Sequence, residues 1–263
     1  MAGRARFAFT MLAFGYAFLY LPIVLVIVYS FNESRLVTVW AGFSTKWWRA
    51  LLANEAMLSA AWLSLRIALV SATAAAMIGL AAGYALARAP RFFGRTLFGS
   101  LVIAPMVMPE VVMGISMLLL FVGSERLFGG PDRGFLTIAI AHITFSIAFV
   151  AVVVQARLAD FDRSLEEAAM DLGATPLVVF RTVTLPLILP AVASGWLLAF
   201  TLSLDDLILT QFVAGAQSQT LPMRVYSSVR LGVDPQINAL ATIVVAVAAS
   251  ALILSGWLTR RRA

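Results

Sequence analysis

The chain contains no cysteine, a single histidine (His142) and a single lysine (Lys46). Without cysteine there is no disulfide framework, no thiolate metal site and no cysteine nucleophile. One histidine cannot assemble a His/Cys ligand cluster, so no metal site is expected. Charge is scarce as well: Asp, Glu, Lys and Arg make up 12% of the residues, against about a quarter in soluble domains. Catalytic signatures are missing too. No GxxxxGK(S/T) phosphate loop, GxSxG, HExxH or Ser-His-Asp pattern occurs, and Lys46 lies in a connecting loop. No residue is therefore assigned a catalytic role, and the chain is not expected to be an enzyme.

What fills the sequence instead is apolar: 62% of the residues are hydrophobic. A bilayer core of about 30 Å takes roughly 20 apolar residues in a helix. Six runs reach that length, at approximately 7–29, 63–87, 97–122, 135–155, 185–213 and 237–258. The expected fold is an all-α membrane protein with six transmembrane helices, a single domain spanning 1–263. The first run follows Arg4 and Arg6 as a signal peptide would. It is too long for a signal h-region and no Ala-x-Ala-like site follows, so it reads as a retained transmembrane helix.

Basic residues set the orientation. A cytoplasmic N-terminus puts Arg4, Arg6, Arg88, Arg91, Arg95, Arg157, Arg163, Arg181, Arg260, Arg261 and Arg262 inside. It leaves Arg35, Lys46, Arg49, Arg126, Arg133, Arg224 and Arg230 outside. The inward set is larger, so both termini are expected in the cytoplasm. The net charge of +6 is this topology signal and gives no reason to invoke nucleic acid.

The outer loop 31–62 holds Trp40, Trp47 and Trp48, with Thr45 placed to cap a short helix ending near Leu52. Pro105 and Pro109 interrupt the third run, and Pro186 and Pro190 the fifth, so both helices are expected to kink. Broken helices at membrane depth occur where they pack in protein or line an aqueous cavity. No inverted internal repeat is visible, which counts against a secondary transporter.

Three carboxylates interrupt apolar runs: Glu110 in the third, Asp205 and Asp206 in the fifth. A charged side chain at mid-bilayer costs roughly 2.5–3.5 kcal/mol on insertion scales, so each should face protein or a water-filled path. Glu110 either lines such a path or sits in a first helical turn, where the dipole favours it. The two aspartates, about 100° apart on a helix, cannot both face one lumen. One is expected to line a pathway while the other meets a neighbouring helix, Arg66 or a partner subunit. Arg66 either snorkels outward or pairs with a carboxylate. His142 reads as a hydrogen-bonded interior histidine.

Between the fourth and fifth runs lies a polar island, 166–190, too polar for hydrocarbon yet rich in helix signals. Ser164 and Glu167 have capping-box spacing, Gly173 is placed to end that helix, and Thr175-Pro176 opens the next. A helix–glycine–helix element on the cytoplasmic face needs something to dock against it.

This island reads Glu167-Ala168-Ala169, three residues, Gly173, nine residues, then Val183-Thr184-Leu185-Pro186. It resembles the EAA motif of permease subunits of type I ABC importers, with Val183 where isoleucine is usual. Further segments, LSLDD and INALAT among them, resemble the polyamine (putrescine/spermidine) branch of that family. The resemblance implies a bacterial inner-membrane, multi-pass permease of a polyamine ABC importer. Its EAA loop, at about 158–184, would be the coupling helix, with Glu166, Glu167, Ala168, Ala169 and Gly173 docking on the ATPase. The implied partners are a second homologous permease subunit, an ATPase homodimer that binds ATP and Mg, and a periplasmic polyamine-binding protein. This chain would carry no cofactor. A diammonium substrate suits anionic or aromatic stations, which makes Glu110, Asp205, Asp206 and Tyr226 the path candidates. Two alternatives stay open: an ABC permease for another solute, and a stand-alone cation channel or antiporter that would transport without an ATPase.

Overall fold

The computed structural model describes residues 2–36, 39–89, 92–232 and 234–260. Arg91, Arg261 and Arg262, used above for orientation, lie outside the described residues. The described residues form helices joined by turns and loops, with an isolated bridge between Asn32 and Phe43. The helices are α1 (Ala2–Tyr29), α2 (Lys46–Leu52), α3 (Glu55–Arg88), α4 (Arg95–Val107), α5 (Glu110–Phe128) and α6 (Phe135–Ala159). Then follow α7 (Ser164–Asp171), α8 (Pro176–Val179), a π-helical turn Phe180–Thr184, α9 (Leu185–Asp205), α10 (Ile208–Val213), α11 (Leu221–Leu231) and α12 (Gln236–Arg260). Among the described residues, five helical segments are long and apolar enough to cross a membrane: Arg6–Tyr29, Glu55–Arg88, Glu110–Phe128, Phe135–Ala159 and Pro176–Asp205. The 25 residues of α12 supply the length for a sixth at 1.5 Å per residue.

The chain forms two compact units, and their boundaries fall inside α3 and α11. One comprises residues 1–59 and 225–263, the other 60–224. In the first, α12 packs against α1 and α2. The segment between α1 and α2 is organised by Asn32, which is buried. The Asn32 side-chain amide donates to the Val39 carbonyl at 2.7 Å, and its Oδ1 accepts the Ala41 N–H at 3.0 Å. Trp47 Nε1 donates to the Asn32 carbonyl at 2.9 Å, while Phe31 stacks between Phe43 and Trp48. The short helix appears as expected, but Ser44 Oγ, not Thr45, accepts the Lys46 N–H.

In the second unit α6 is the central helix, packed on α9, α4, α10 and α5. Small residues let α3 approach it closely: Ala68, Ala72, Ala75 and Ala76 are buried. Gly79 and Gly83, one turn apart, lie so near α6 that a Cβ on Gly79 would stand 2.7 Å from Val150 Cβ. This is the small-xxx-small packing that membrane helices use where no hydrophobic drive between helices exists. Ile67, Met113, Ile138, Leu209 and Val213 form one core cluster. Ala72, Val150, Val154, Leu158 and Ile188 form another.

Two of the expected single helices are broken rather than kinked. The third run divides into α4 and α5 at Met108 (ψ 140°) and Pro109 (ψ 133°). Proline drives the residue before it out of the helical region and brings no N–H of its own. Pro105, by contrast, is accommodated inside α4. The fifth run starts earlier than expected, continuous with α8 through the π turn, and breaks at Asp206 (ψ 127°). Pro186 is the second residue after that turn. The wider π spacing relieves the clash its ring would make with the carbonyl four residues back.

Candidate functional site: the coupling element and the intramembrane carboxylates

The helix–glycine–helix element forms where expected, with a different cap. The Ser164 N–H donates to Asp162 Oδ1 at 2.9 Å, and no Ser164–Glu167 capping box forms. That bond holds the exposed Asp162 carboxyl below its ordinary range. At the other end α7 closes in a Schellman motif. Ala174 N–H donates to the Ala169 carbonyl (3.1 Å) and Gly173 N–H to the Met170 carbonyl (2.9 Å), with Gly173 at φ +86°. Thr175 is extended and Pro176 opens α8.

The two adjacent glutamates of α7 differ in burial. Glu167 and Ala168 are exposed, with Ala169 half-buried beside them. Glu166 is buried at 8% exposure. Its Oε2 lies 2.8 Å from Arg88 Nε, and its Oε1 accepts the Thr184 hydroxyl at 2.6 Å. Glu166 therefore meets neighbours of its own chain, while Glu167 is open. Arg88 and Thr184 were not singled out as partners, since nothing in the sequence marks one interior pairing among many.

In the membrane the break after α9 separates the two aspartates. Asp205 is the last residue of α9 and is exposed. Asp206 turns inward: its carboxylate accepts the Leu209 and Thr210 N–H groups (3.3 and 2.7 Å) and the Thr210 hydroxyl (2.5 Å). It thereby satisfies the free donors at the start of α10. His142 Nε2 is 3.2 Å from Asp206 Oδ2 and 2.9 Å from Thr210 Oγ1, while Nδ1 is 2.6 Å from Ser203 Oγ.

Because the Thr210 hydroxyl gives its proton to Asp206, its oxygen accepts from Nε2–H, and Ser203 then donates to Nδ1. These are the residue types of a hydrolytic triad, but His142 is 2% and Ser203 6% exposed, so no substrate carbonyl reaches the hydroxyl. Of the alternatives for the second aspartate, Asp206 meets a neighbouring helix through His142, and the Arg66 guanidinium lies 5.1 Å from the Phe135 ring centroid.

Glu110 stands exposed in the first turn of α5, just after the break at Pro109. The dipole site and an open position thus coincide there. Four residues on, one turn along the same face, Gly114 is in tight contact with the Phe212 ring of α10. Tyr226 lies on α11, and the Arg230 guanidinium sits 5.9 Å from its ring centroid. Among the described residues no His/Cys/Asp/Glu group could hold a metal ion.

Comparison with known proteins gives a consistent set of relatives. Residues 75–262 match the family model described as binding-protein-dependent transport system inner membrane component. The chain is 56% identical over 242 residues, 92% of it and 86% of the relative, to the putrescine transport system permease protein PotI of Escherichia coli strain K12. It is 44% identical over 245 residues (93% and 90%) to the spermidine/putrescine transport system permease protein PotC of the same strain. Among solved structures, it is similar to a bacterial ABC transporter involved in the import of the acidic polysaccharide alginate. That likeness has a TM-score of 0.73 at 17% identity, covering 97% of this chain and 95% of the other. The MetNI methionine ABC transporter in inward-facing form aligns with a TM-score of 0.62 at 18% identity (78% and 94%). At such identities these two establish the fold.

Proposed function

This chain belongs to the binding-protein-dependent transport system inner membrane components, and on that premise we propose how it works as the permease subunit of an ATP-driven polyamine importer. It is a multi-pass inner membrane protein. The observation that carries the polyamine assignment is the 56% identity to a putrescine permease along 92% of the chain.

The chain functions as one permease domain over 1–263 with both termini cytoplasmic. The EAA loop, about 158–184, docks on a separate ATPase homodimer through Glu167, Ala168 and Ala169, with Gly173 forming the turn. That ATPase binds and hydrolyses ATP with Mg, so this chain has no catalytic step and no cofactor of its own. A second, homologous permease subunit completes the passage, and a periplasmic polyamine-binding protein delivers the substrate to the outer loops.

Within the passage Asp205 and Glu110 act as weak stations for the ammonium groups. Both are open carboxylates at helix breaks, where irregular backbone is tolerated beside an aqueous cavity. Asp206 holds the break in shape through His142 and Thr210. Tyr226, its ring already facing Arg230, is a lesser station.

The test is ATP-dependent uptake of labelled putrescine and spermidine into proteoliposomes, with the complete complex set against one lacking this chain. Uptake that requires both the chain and ATP is expected. An assembled, ATP-hydrolysing complex that moves neither polyamine would assign the passage to another solute. Transport by the purified chain alone would overturn the importer altogether.

A further inference from the structure

Glu166 immediately precedes the Glu167-Ala168-Ala169 triplet, yet its carboxylate joins two other helices of the same unit. One oxygen meets Arg88, the last residue of α3; the other meets Thr184, the last residue of the π turn leading into α9. The side chains of Arg88 and Glu166 are only 9% and 11% exposed, and Thr184 is fully buried. Two further contacts close the same junction. Arg163 Nη2 donates to the Ala87 carbonyl at 3.0 Å, and the Tyr84 ring meets Phe180 edge-on at 5.0 Å. A surface pocket of about 220 Å³ lies beside Tyr84, Arg88 and Glu166.

An ion pair this buried returns little more than its dehydration costs, so stability alone does not explain it; fixing one arrangement does. Arg88 Nε and Nη2 are both buried without a well-aligned hydrogen-bond acceptor, so charge attraction to Glu166 at 2.8 Å and the Phe161 ring 5.6 Å away hold the end of α3. π turns inside helices recur at functional positions, and this one is tied to the same carboxylate.

We infer that Glu166 is a positioning residue that latches the coupling helix α7 to α3 and α9, so that a push on α7 moves both membrane helices together. This rests on the proposed docking of α7 on an ATPase. It divides the two adjacent glutamates: Glu167 faces the ATPase, and Glu166 passes the motion inward.

The test uses the complete transporter in proteoliposomes, measuring uptake per ATP hydrolysed and co-purification of the ATPase. Glu166→Gln keeps an acceptor for Thr184 but removes the charge facing Arg88. It should lower uptake per ATP by at least about fivefold, the low end of coupling between linked sites, with the ATPase still bound. Thr184→Val, a milder change, should lower the same ratio. Because the chain has no cysteine, spin labels at Ala89→Cys and Asp171→Cys report the junction directly. Their separation should be the same with and without ATP in the parent, and should change with ATP in Glu166→Gln. Unchanged uptake per ATP in both variants overturns the latch alone, as does loss of the ATPase from Glu166→Gln but not from Glu167→Gln. A parent chain that retains no ATPase overturns the docking and the latch together.

Discussion

His142 Nδ1 lies 2.6 Å from the Ser203 hydroxyl, and this contact ties α6 to the last turn of α9 just before that helix breaks. On the other side of the ring Thr210 and Asp206 hold the start of α10. One buried imidazole therefore fixes both sides of a helix break beside an open carboxylate. A buried polar network rigidifies its surroundings when every member is satisfied, and here both ring nitrogens of His142 have a hydroxyl partner.

Replacing His142 should expose that role. His142→Phe leaves the Ser203 hydroxyl without its partner, at about 1–3 kcal/mol for an unsatisfied buried group, while Thr210 keeps its bond to Asp206. The thermal midpoint of the purified chain should fall by several degrees, at about 2–4 °C per kcal/mol for a chain of this size class. His142→Gln, which can donate and accept, should fall less. Equal midpoints for parent and His142→Phe would remove the network from any structural role.

The two aspartates should separate by assay. Asp205→Asn is expected to reduce putrescine uptake about tenfold, a loss of about 1.4 kcal/mol from the path, at an unchanged thermal midpoint. Glu110→Gln should behave the same way. Asp206→Ala should instead lower the midpoint, because it strips the donors of α10 and one side of the His142 network. Full uptake by both Asp205→Asn and Glu110→Gln would end the proposal that these carboxylates carry ammonium groups.

The seam between α3 and α6 gives a packing prediction. In Gly79→Val the new Cβ would stand 2.7 Å from Val150 Cβ, and overpacking of this kind costs about 1–3 kcal/mol. Yield of folded chain in the membrane should drop, and the added change Val150→Gly, which removes the Cβ that it meets, should restore part of it. A double variant no better than the single would place the damage elsewhere.

The helix spans were legible because bilayer thickness fixes their length and the apolar runs report it directly. Gly173 was legible because ending a helix in the left-handed region calls for glycine. The breaks at Met108-Pro109 and at Asp206 were not, since a kinked helix and a broken one carry the same apolar pattern. At Asp206 the choice is made by bonds to Thr210 and His142, the latter far away in sequence. The cap of α7 was misassigned for a related reason: Ser164 and Asp162 both suit the start, and only the backbone path shows that Asp162 reaches it. Nor could sequence separate Glu166 from Glu167. Adjacent positions point about 100° apart on a helix, but which one faces inward depends on where Arg88 and Thr184 sit.

Gly173 allows backbone conformation to be tested apart from bulk. Its φ is +86°, and nothing lies within 4 Å of where a Cβ would be. A side chain there costs through the left-handed backbone, about 1–2 kcal/mol for most residues and less for asparagine. Gly173→Val should therefore distort the end of α7 and lose uptake while the permease still reaches the membrane, and Gly173→Asn should keep most of the activity. If bulk were the obstacle, asparagine and valine would fail alike. If neither change affects uptake, the Schellman turn does not set the docking surface, and Glu167 and Ala168 would have to hold their geometry by contact with the partner alone.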